Sequence, residues 1–276
     1  MTTPRPFTAS TVTHITSRDN PLLKDLRKLS QDSTAYRKQA RVWLEGDHLC
    51  RAALKRGLKP VLGLFSESFW QNPKSWKNPE SRPLALVEYA QAAPKTIVIP
   101  DKLFQDISGL ESPARMGFVM DLPPHVPLQP LSHTVILDRV QDAGNVGSIL
   151  RSAAAFGVQQ VLALKGTAAL WSPKVLRAGM GAHFGLHLVE GLDVAELQAL
   201  AVPLVVTSSH VGQLLQDQPL PKPCAWVMGH EGQGVCDELL ARAALSVRIG
   251  QRGGEESLNV AAAAAICLHA SSISRQ

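Results

Sequence analysis

Apolar runs of strand length alternate with helical patterns through the second half of the chain, and this alternation limits the possible folds more than any other feature. The apolar runs are Thr134 to Leu137, Gln160 to Leu164, Leu204 to Val206, Ala225 to Met228 and Ser246 to Ile249, and the helical patterns are Val146 to Phe156, Pro173 to Met180 and Leu258 to Ala270. Strands that are apolar almost throughout are typical of a parallel sheet with helices on both faces. The second half is therefore predicted to be an α/β domain.

A proline-rich segment separates this domain from a smaller α/β pattern before it. Asp121 to Pro130 contains four prolines in ten residues, which is too many for a helix interior or a central strand. We predict an N-terminal domain over residues 1–120, with 1–14 flexible, a linker over 121–130 and a second domain over 131–276. In the N-terminal domain the predicted helices are Pro21 to Leu29 and Asp47 to Arg56, the strands are Val42 to Glu45, Val61 to Phe65, Ile97 to Ile99 and Phe118 to Met120, and Gln71 to Pro83 is an exposed loop.

The composition excludes several classes of protein. Of 276 residues, 45% are hydrophobic and 18% charged, as in folded water-soluble proteins. Even the alanine-rich stretch Val260 to Cys267 is far shorter than the roughly 20 apolar residues of a membrane-spanning helix. The scattered cysteines Cys50, Cys224, Cys236 and Cys267 form no C-x-x-C pair, which argues against a zinc site or a disulfide framework. We expect a soluble cytoplasmic protein without a membrane segment or a bound metal.

Positive charge is concentrated at the N-terminus. Residues 1–60 contain twelve Lys and Arg against five Asp and Glu, whereas residues 121–276 contain ten against twelve. Clustered basic side chains can neutralise nucleic-acid phosphates, but similar clusters also occur on plain solvated surfaces. The motifs described next favour RNA, and the predicted RNA-binding residues are Arg18, Lys24, Arg27, Lys28, Arg37, Lys38 and Arg41.

Three segments of the second domain have features that packing does not require. The first, Asp142 to Arg151, joins a strand to a helix, and Asn145 could cap that helix. The second, Val227 to Val235, runs from an apolar strand into three glycines around Glu231, with neither a dinucleotide nor a Walker spacing. Each segment alone could equally be an ordinary turn, with Glu231 in water and Arg151 on the surface.

The third segment, Ile249 to Val260, is a polar glycine loop that leads into an alanine-rich helix. Ser257 and Asn259 lie at the start of this helix, where polar side chains cap free N–H groups and polar ligand groups are attracted. The alanines Ala261 to Ala265 indicate a helix packed very close to a neighbouring backbone.

Together the three segments resemble the SpoU family, the ribose 2′-O-methyltransferases of transfer and ribosomal RNA within the SPOUT superfamily. The matching motifs are N-x-G-x-x-x-R at Asn145 to Arg151, M-G-x-E-G-x-G at Met228 to Gly234, E-S-L-N-V at Glu256 to Val260, and a further similarity at Ser172 to Ala182. Ser17 to Arg27 and Leu44 to Gly46 are similar to the substrate-binding domain of members that act on ribosomal RNA. The sequence departs from the family pattern at Ala143, where proline is usual, at Gly179, where serine is common, and at Gly250-Gln251, where Pro-Met is frequent.

The resemblance implies a fold, a cofactor and a set of site residues. The fold would be a parallel-sheet SPOUT domain with a deep trefoil knot, preceded by a small α/β domain like certain ribosomal proteins. The protein would form a homodimer, in which Arg151 acts within its own subunit or across the interface. S-adenosylmethionine would be the methyl donor, and ribosomal RNA is favoured as substrate over transfer RNA. The alternative is a catalytically inactive protein of the same fold that binds RNA. The implied catalytic residues are Arg151, Asn145, Glu231, Ser257 and Asn259, and the implied cofactor-binding residues are Thr207, Met228, Gly229, Gly232, Ile249, Leu258 and Asn259. Arg151 would either remove the ribose proton or stabilise the alkoxide while a phosphate or water takes the proton.

Overall fold

The computed structural model describes residues 12–71, 84–122, 127–208, 212–251, 253 and 257–274. Most of the predicted tail, most of the predicted loop at Gln71 to Pro83, part of the proline-rich segment and Glu256 lie outside the described residues. The chain forms two compact units, Met1–Pro123 and Pro124–Gln276. In the described parts, no helix is long and apolar enough to cross a membrane.

The first unit is built on a five-stranded mixed sheet with the strand order β1-β4-β3-β5-β2. Its elements are β1 (Val12–His14), α1 (Pro21–Gln31), α2 (Ala35–Gln39), β2 (Arg41–Glu45), α3 (Asp47–Lys55), β3 (Leu62–Ser66), α4 (Glu67–Gln71), α5 (Leu84–Ala92), β4 (Thr96–Ile99), α6 (Asp101–Ile107) and β5 (Met116–Asp121). Strands β1, β4 and β3 are parallel, and β5 pairs antiparallel with both β3 and β2. The last three residues of the predicted tail 1–14, Val12–His14, form the edge strand β1, which pairs with β4.

Helix α1 shows how the basic sequence of this unit is arranged. Asn20 begins the helix, since its side chain accepts a hydrogen bond from the Leu22 N–H at 2.9 Å. Leu23 and Leu26 are buried one turn apart on the side that faces the sheet. Lys24 and Lys28 consequently lie on the exposed side of the helix.

The second unit is an α/β fold with a seven-stranded sheet in the order β10-β12-β9-β11-β6-β7-β8. Its elements are β6 (Thr134–Leu137), α7 (Ala143–Ala155), β7 (Gln160–Leu164), α8 (Pro173–Gly179), β8 (His187–Leu192), β9 (Leu204–Thr207), β10 (Gln213–Leu214), β11 (Ala225–Met228), α9 (Asp237–Ala241), β12 (Leu245–Arg248) and α10 (Val260–Ile273). All strand pairs in this sheet are parallel. The predicted parallel α/β domain is therefore confirmed.

Both faces of this sheet are buried, which explains its nearly continuous apolar strands. Along β6, Val135 and Leu137 point to the face covered by α7, α8 and α10, whereas Ile136 points to the opposite face. Helices α7 and α8 approach closely at Gly147, where an added Cβ would lie 2.3 Å from that of Ala178. This contact fixes the position of α7 against α8.

Candidate functional site

The three motif segments meet where β6, β11 and β12 end. Helix α7 follows β6, a loop at residues 229–234 follows β11, and residues 249–259 lead from β12 into α10. Strands β6 and β11 are parallel neighbours, so their carboxyl ends lie at the same edge of the sheet. In parallel α/β sheets this edge is the usual position of a ligand site.

Glu231 connects the loop after β11 to the start of α7. Its carboxylate accepts hydrogen bonds from the backbone N–H groups of Gln141 and Asp142 and from Nδ2 of Asn145, each at 3.1 Å. Partial burial acts to raise the pKa of Glu231, but the hydrogen bonds from Gln141, Asn145 and Asp142 outweigh it, and the pKa lies below the ordinary value. Glu231 is therefore an ionised acceptor with fixed partners, rather than a side chain pointing into water.

The prediction that Asn145 caps α7 is wrong. Asp142 is the capping residue, and its Oδ1 accepts a hydrogen bond from the backbone N–H of Asn145 at 2.8 Å. Because the helix begins at Ala143, Asn145 already lies in the first turn. Its side chain is thus available for contacts with other segments.

Asn259 caps α10 and also contacts Asn145. Its Oδ1 accepts hydrogen bonds from the N–H groups of Ala261 at 2.9 Å and Ala262 at 3.2 Å, and its Nδ2 donates to Oδ1 of Asn145 at 3.0 Å. Both amide orientations are determined, because Asn145 must donate to the Glu231 carboxylate and Asn259 must accept from the helix. Glu231, Asn145 and Asn259, here called the polar triad, therefore join the three motif segments.

Arg151 and Ser257 are not hydrogen-bonded to the polar triad. Arg151 lies on α7, six residues after Asn145, which places it about 9 Å further along the helix and about 120° around its axis. Both side chains are exposed. Within the described residues, neither has a hydrogen-bond or ion-pair partner, so both are available to a ligand or to another chain.

The predicted cofactor positions lie at the ends of β9, β11 and β12 and in the residues before α10. Met228 is fully buried, and Thr207 bonds through Oγ1 to the Val227 carbonyl at 3.2 Å. At Gly229 an added Cβ would lie 2.4 Å from the carbonyl carbon of Gly234, so this glycine is required for the loop to close on itself. Ile249 is half-buried and Leu258 is exposed.

Two features of this region would suit an adenosine-containing ligand. Among the described residues, an added Cβ at Gly232 would have only the His230 ring within 4 Å, at 3.8 Å, so a ligand can approach this backbone closely. The Oε1 atom of Gln251 is buried and has no hydrogen-bond donor in the described structure. A buried acceptor without a donor is costly, and a ligand amino group could satisfy it.

Comparison with known proteins identifies the family. Residues 132–269 match the sequence model of the SpoU rRNA Methylase family. The chain belongs to the SpoU rRNA methylase family. A tRNA/rRNA methyltransferase of Synechocystis sp. is 33% identical over 270 residues, covering 94% of this chain and 93% of that protein.

Two further proteins are similar to this chain over nearly its whole length. The 23S rRNA (guanosine(2553)-2'-O)-methyltransferase RlmP of Bacillus subtilis is 29% identical, covering 92% of this chain and 97% of that protein. The crystal structure of an AdoMet-bound rRNA methyltransferase from Sinorhizobium meliloti is 26% identical, with a TM-score of 0.77 and coverage of 94% of this chain and 97% of that one. The similarity therefore extends over both units.

The departures from the SpoU pattern have local explanations. Ala143 is the first residue of α7, a position that favours proline but also accepts a strong helix former. At Gly179 an added Cβ would lie 2.6 Å from Cε1 of His183, so the buried His183 ring occupies the space of a larger side chain. Gly250 packs against Leu214, 3.3 Å from an added Cβ.

Sequence reasoning missed Asp138 and Arg139, which lie between β6 and the polar triad. Asp138 is only 1% exposed, and its carboxylate accepts hydrogen bonds from Arg139 and from the Cys236 N–H. The sequence feature that could have revealed them is a pair of oppositely charged residues directly after a buried strand. Among the described residues no group of three or more His, Cys, Asp or Glu is arranged to hold a metal ion.

Proposed function

We propose that this protein transfers a methyl group from S-adenosylmethionine to a ribose 2′-hydroxyl of ribosomal RNA. The observation that carries the proposal is the polar triad, because it joins the three motif segments of the family at one edge of the sheet. The similar proteins named as rRNA 2′-O-methyltransferases support the reaction and the substrate. Buried unpaired cysteines support a cytoplasmic location.

The residues at the strand ends would hold the cofactor. Thr207, Met228, Gly229, Gly232, Ile249, Leu258 and Asn259 would form its binding site, much of it backbone. When bound, S-adenosylmethionine supplies a methyl group on a positively charged sulfur. The ionised Glu231 carboxylate contributes negative charge to the same region. Asn145 and Asn259 hold α7 and α10 in position around it.

Arg151 is the proposed catalytic residue. The 2′-hydroxyl would receive the methyl group that S-adenosylmethionine supplies, with the neutral thioether as leaving group, and the hydroxyl proton must leave. A guanidinium beside that oxygen stabilises the negative charge that develops on it, while a phosphate or water accepts the proton. Ser257, exposed at the start of α10, would help to position the ribose. Because Arg151 lies away from the polar triad of its own chain, we favour a role in the site of a partner subunit.

The basic surface of the first unit is the proposed RNA-binding surface. Arg18 pairs with Asp106 at 3.0 Å and Lys24 with Asp19 at 3.1 Å, and both basic side chains remain more than half exposed. Exposed ion pairs of this kind contribute little free energy, so phosphates can replace the carboxylates. Lys28 and Lys38 are exposed and have no ion-pair partner among the described residues.

A homodimer and a knotted chain also belong to the proposal. Ile266 is 42% exposed and Ile273 65% exposed on the same side of α10, as expected if a second copy covers this side. Helix α10 packs on α7 and on the turn Leu215–Asp217, which agrees with a chain end threaded through the preceding loop. Together with the family resemblance, these contacts support the trefoil knot.

Replacing Arg151 with Ala tests the catalytic assignment. We expect R151A to bind S-adenosylmethionine nearly as well as the unmodified protein, by calorimetry, but to transfer no tritiated methyl group to ribosomal RNA from cells that lack the gene. The matched control is R242A, because among the described residues Arg242 donates only to the carbonyls of Val194 and Leu197.

Normal turnover by R151A would refute its role. Absence of cofactor binding by the unmodified protein would favour an RNA-binding protein without activity. Mapping the 2′-O-methyl groups that are lost from total RNA when the gene is deleted identifies the substrate, and a site in transfer RNA would correct the proposed class.

A further inference from the structure

The turn between β6 and α7 is hydrogen-bonded to the last residue of β11 at one end and to the loop after β11 at the other. At the first end, the Asp138 N–H donates to the Met228 carbonyl at 2.8 Å. At the other end, the N–H groups of Gln141 and Asp142 donate to Glu231. The turn after β6 and the loop at residues 229–234 must therefore be correctly aligned for Glu231 to reach the N–H groups of Gln141 and Asp142.

Arg139 links the middle of the turn to the far side of the loop. Its Nε and Nη2 atoms donate to the two carboxylate oxygens of Asp138 at 2.7 and 3.2 Å. Its Nη1 donates to Oε1 of Gln233 at 2.8 Å, and Nη2 also lies 3.5 Å from the Gly234 carbonyl oxygen. The guanidinium is thus held by a buried carboxylate on one side and holds the loop on the other.

The backbone of Arg139 adopts a conformation that normally favours glycine. Its φ angle is +59°, in the left-handed region, where a side chain is disfavoured. The side chain also packs closely over Gly166, with Cγ 3.1 Å from an added Cβ at that glycine. An arginine at such a position indicates that the side chain itself contributes something that glycine cannot.

The loop that Arg139 holds is a closed unit. His230 and Gly234 bond to each other through both backbone N–H groups, at 3.0 and 2.9 Å. Nδ1 of His230 accepts from the N–H groups of Gly232 and Gln233. A contact at Gln233 and Gly234 therefore positions the whole loop, including Glu231.

We propose that Arg139, supported by Asp138, is a positioning residue that sets the loop at residues 229–234 so that Glu231 meets Asn145. The proposal rests on the proposed function, because it gives the positioned loop a role in holding S-adenosylmethionine. It assigns Arg139 no contact with the substrate. Its effect passes through Gln233 and the closed loop to the polar triad.

The test replaces Arg139 with Gly in the full-length protein. R139G removes the guanidinium and relieves the left-handed strain, but it leaves the buried Asp138 carboxylate without its charged partner. We therefore expect a lower Tm, and S-adenosylmethionine binding weakened at least tenfold, by calorimetry well below the Tm. R139K keeps the charge but not the forked geometry, and we expect an intermediate Kd. The control K165A removes a nearby positive charge that pairs with Asp193 and not with the loop, so its Kd should stay within twofold.

A double-mutant cycle with Q233A separates positioning from general electrostatics. If Arg139 acts through Gln233, the effects of R139G and Q233A on the Kd will be far from additive. Binding by R139G within twofold of the unmodified protein would overturn the inference. So would unchanged binding by Q233A, which removes the contact with the loop but keeps the Arg139–Asp138 pair. Failure of the unmodified protein to bind the cofactor would instead overturn the proposed function.

Discussion

Acidification is expected to destabilise the second unit through His183. This side chain is 1% exposed, its Nε2 bonds to the Leu170 carbonyl at 2.9 Å, and its Nδ1 is buried without a partner in the described structure. Burial lowers the pKa of His183 from 6.5 to about 4, because a charged ring would lose its hydration. The fold therefore requires the neutral ring.

The size of the effect follows from the two pKa values. The unfolded chain takes up a proton below pH 6.5, whereas the folded protein resists it until about pH 4. The stability that the neutral ring contributes is complete above pH 6.5 and is lost as the pH falls towards 4. The difference corresponds to roughly 3 kcal/mol in the free energy of unfolding at most.

The assay compares the unmodified protein with H183Q, in which an uncharged amide can still donate to Leu170. Denaturant unfolding is measured at several pH values between 7 and 4. Because other groups titrate equally in both proteins, the stability difference between them isolates His183, and it should change by roughly 3 kcal/mol across this range. A difference that does not vary with pH would refute the reasoning, as would an NMR titration in which the His183 ring is protonated near pH 6.5.

Two further predictions concern the polar triad and the proposed dimer. N259S keeps a good capping group on α10 but loses the amide that donates to Asn145. We expect an almost unchanged Tm and methyl transfer reduced by about tenfold, which corresponds to the loss of one hydrogen bond. A large loss of stability would show that capping is the main role of Asn259. I273D places a charge on the exposed apolar side of α10, so light scattering should show a shift from dimer to monomer, and an unchanged mass would contradict the proposed interface.

The sequence predicted strands reliably where both faces are buried. Thr134–Leu137, Gln160–Leu164 and Ala225–Met228 have the predicted bounds, because unbroken apolar runs between turn residues leave little ambiguity. Strand His187–Leu192 was missed because it lies at the edge of the sheet, where His187, Glu190 and Gly191 interrupt the apolar pattern. The order of the strands follows from long-range packing and could not be read from the local pattern.

The candidate site was also predicted only in part, because local motifs can be read from the sequence and long-range contacts cannot. Motif spacing indicated Asn145, Glu231 and Asn259, and the structure brings these three together. The capping role expected of Asn145 belongs to Asp142, since two residues with similar capping preference lie three positions apart and the sequence does not decide between them. The contact of Arg139 with Gln233 joins residues 94 positions apart and has no local signature.

The hydrogen bonds of the polar triad separate residues that hold the backbone of the site in place from residues that are available to the substrate. Glu231 accepts three donors, Asn145 bonds at both ends of its amide, and Asn259 is occupied by α10 and Asn145. Residues with their polar atoms so engaged have little capacity left for a ribose. Arg151 and Ser257, by contrast, are exposed and without partners in the described structure. We therefore assign the triad to fixing three backbone segments and leave stabilisation of the reacting oxygen to the guanidinium of Arg151.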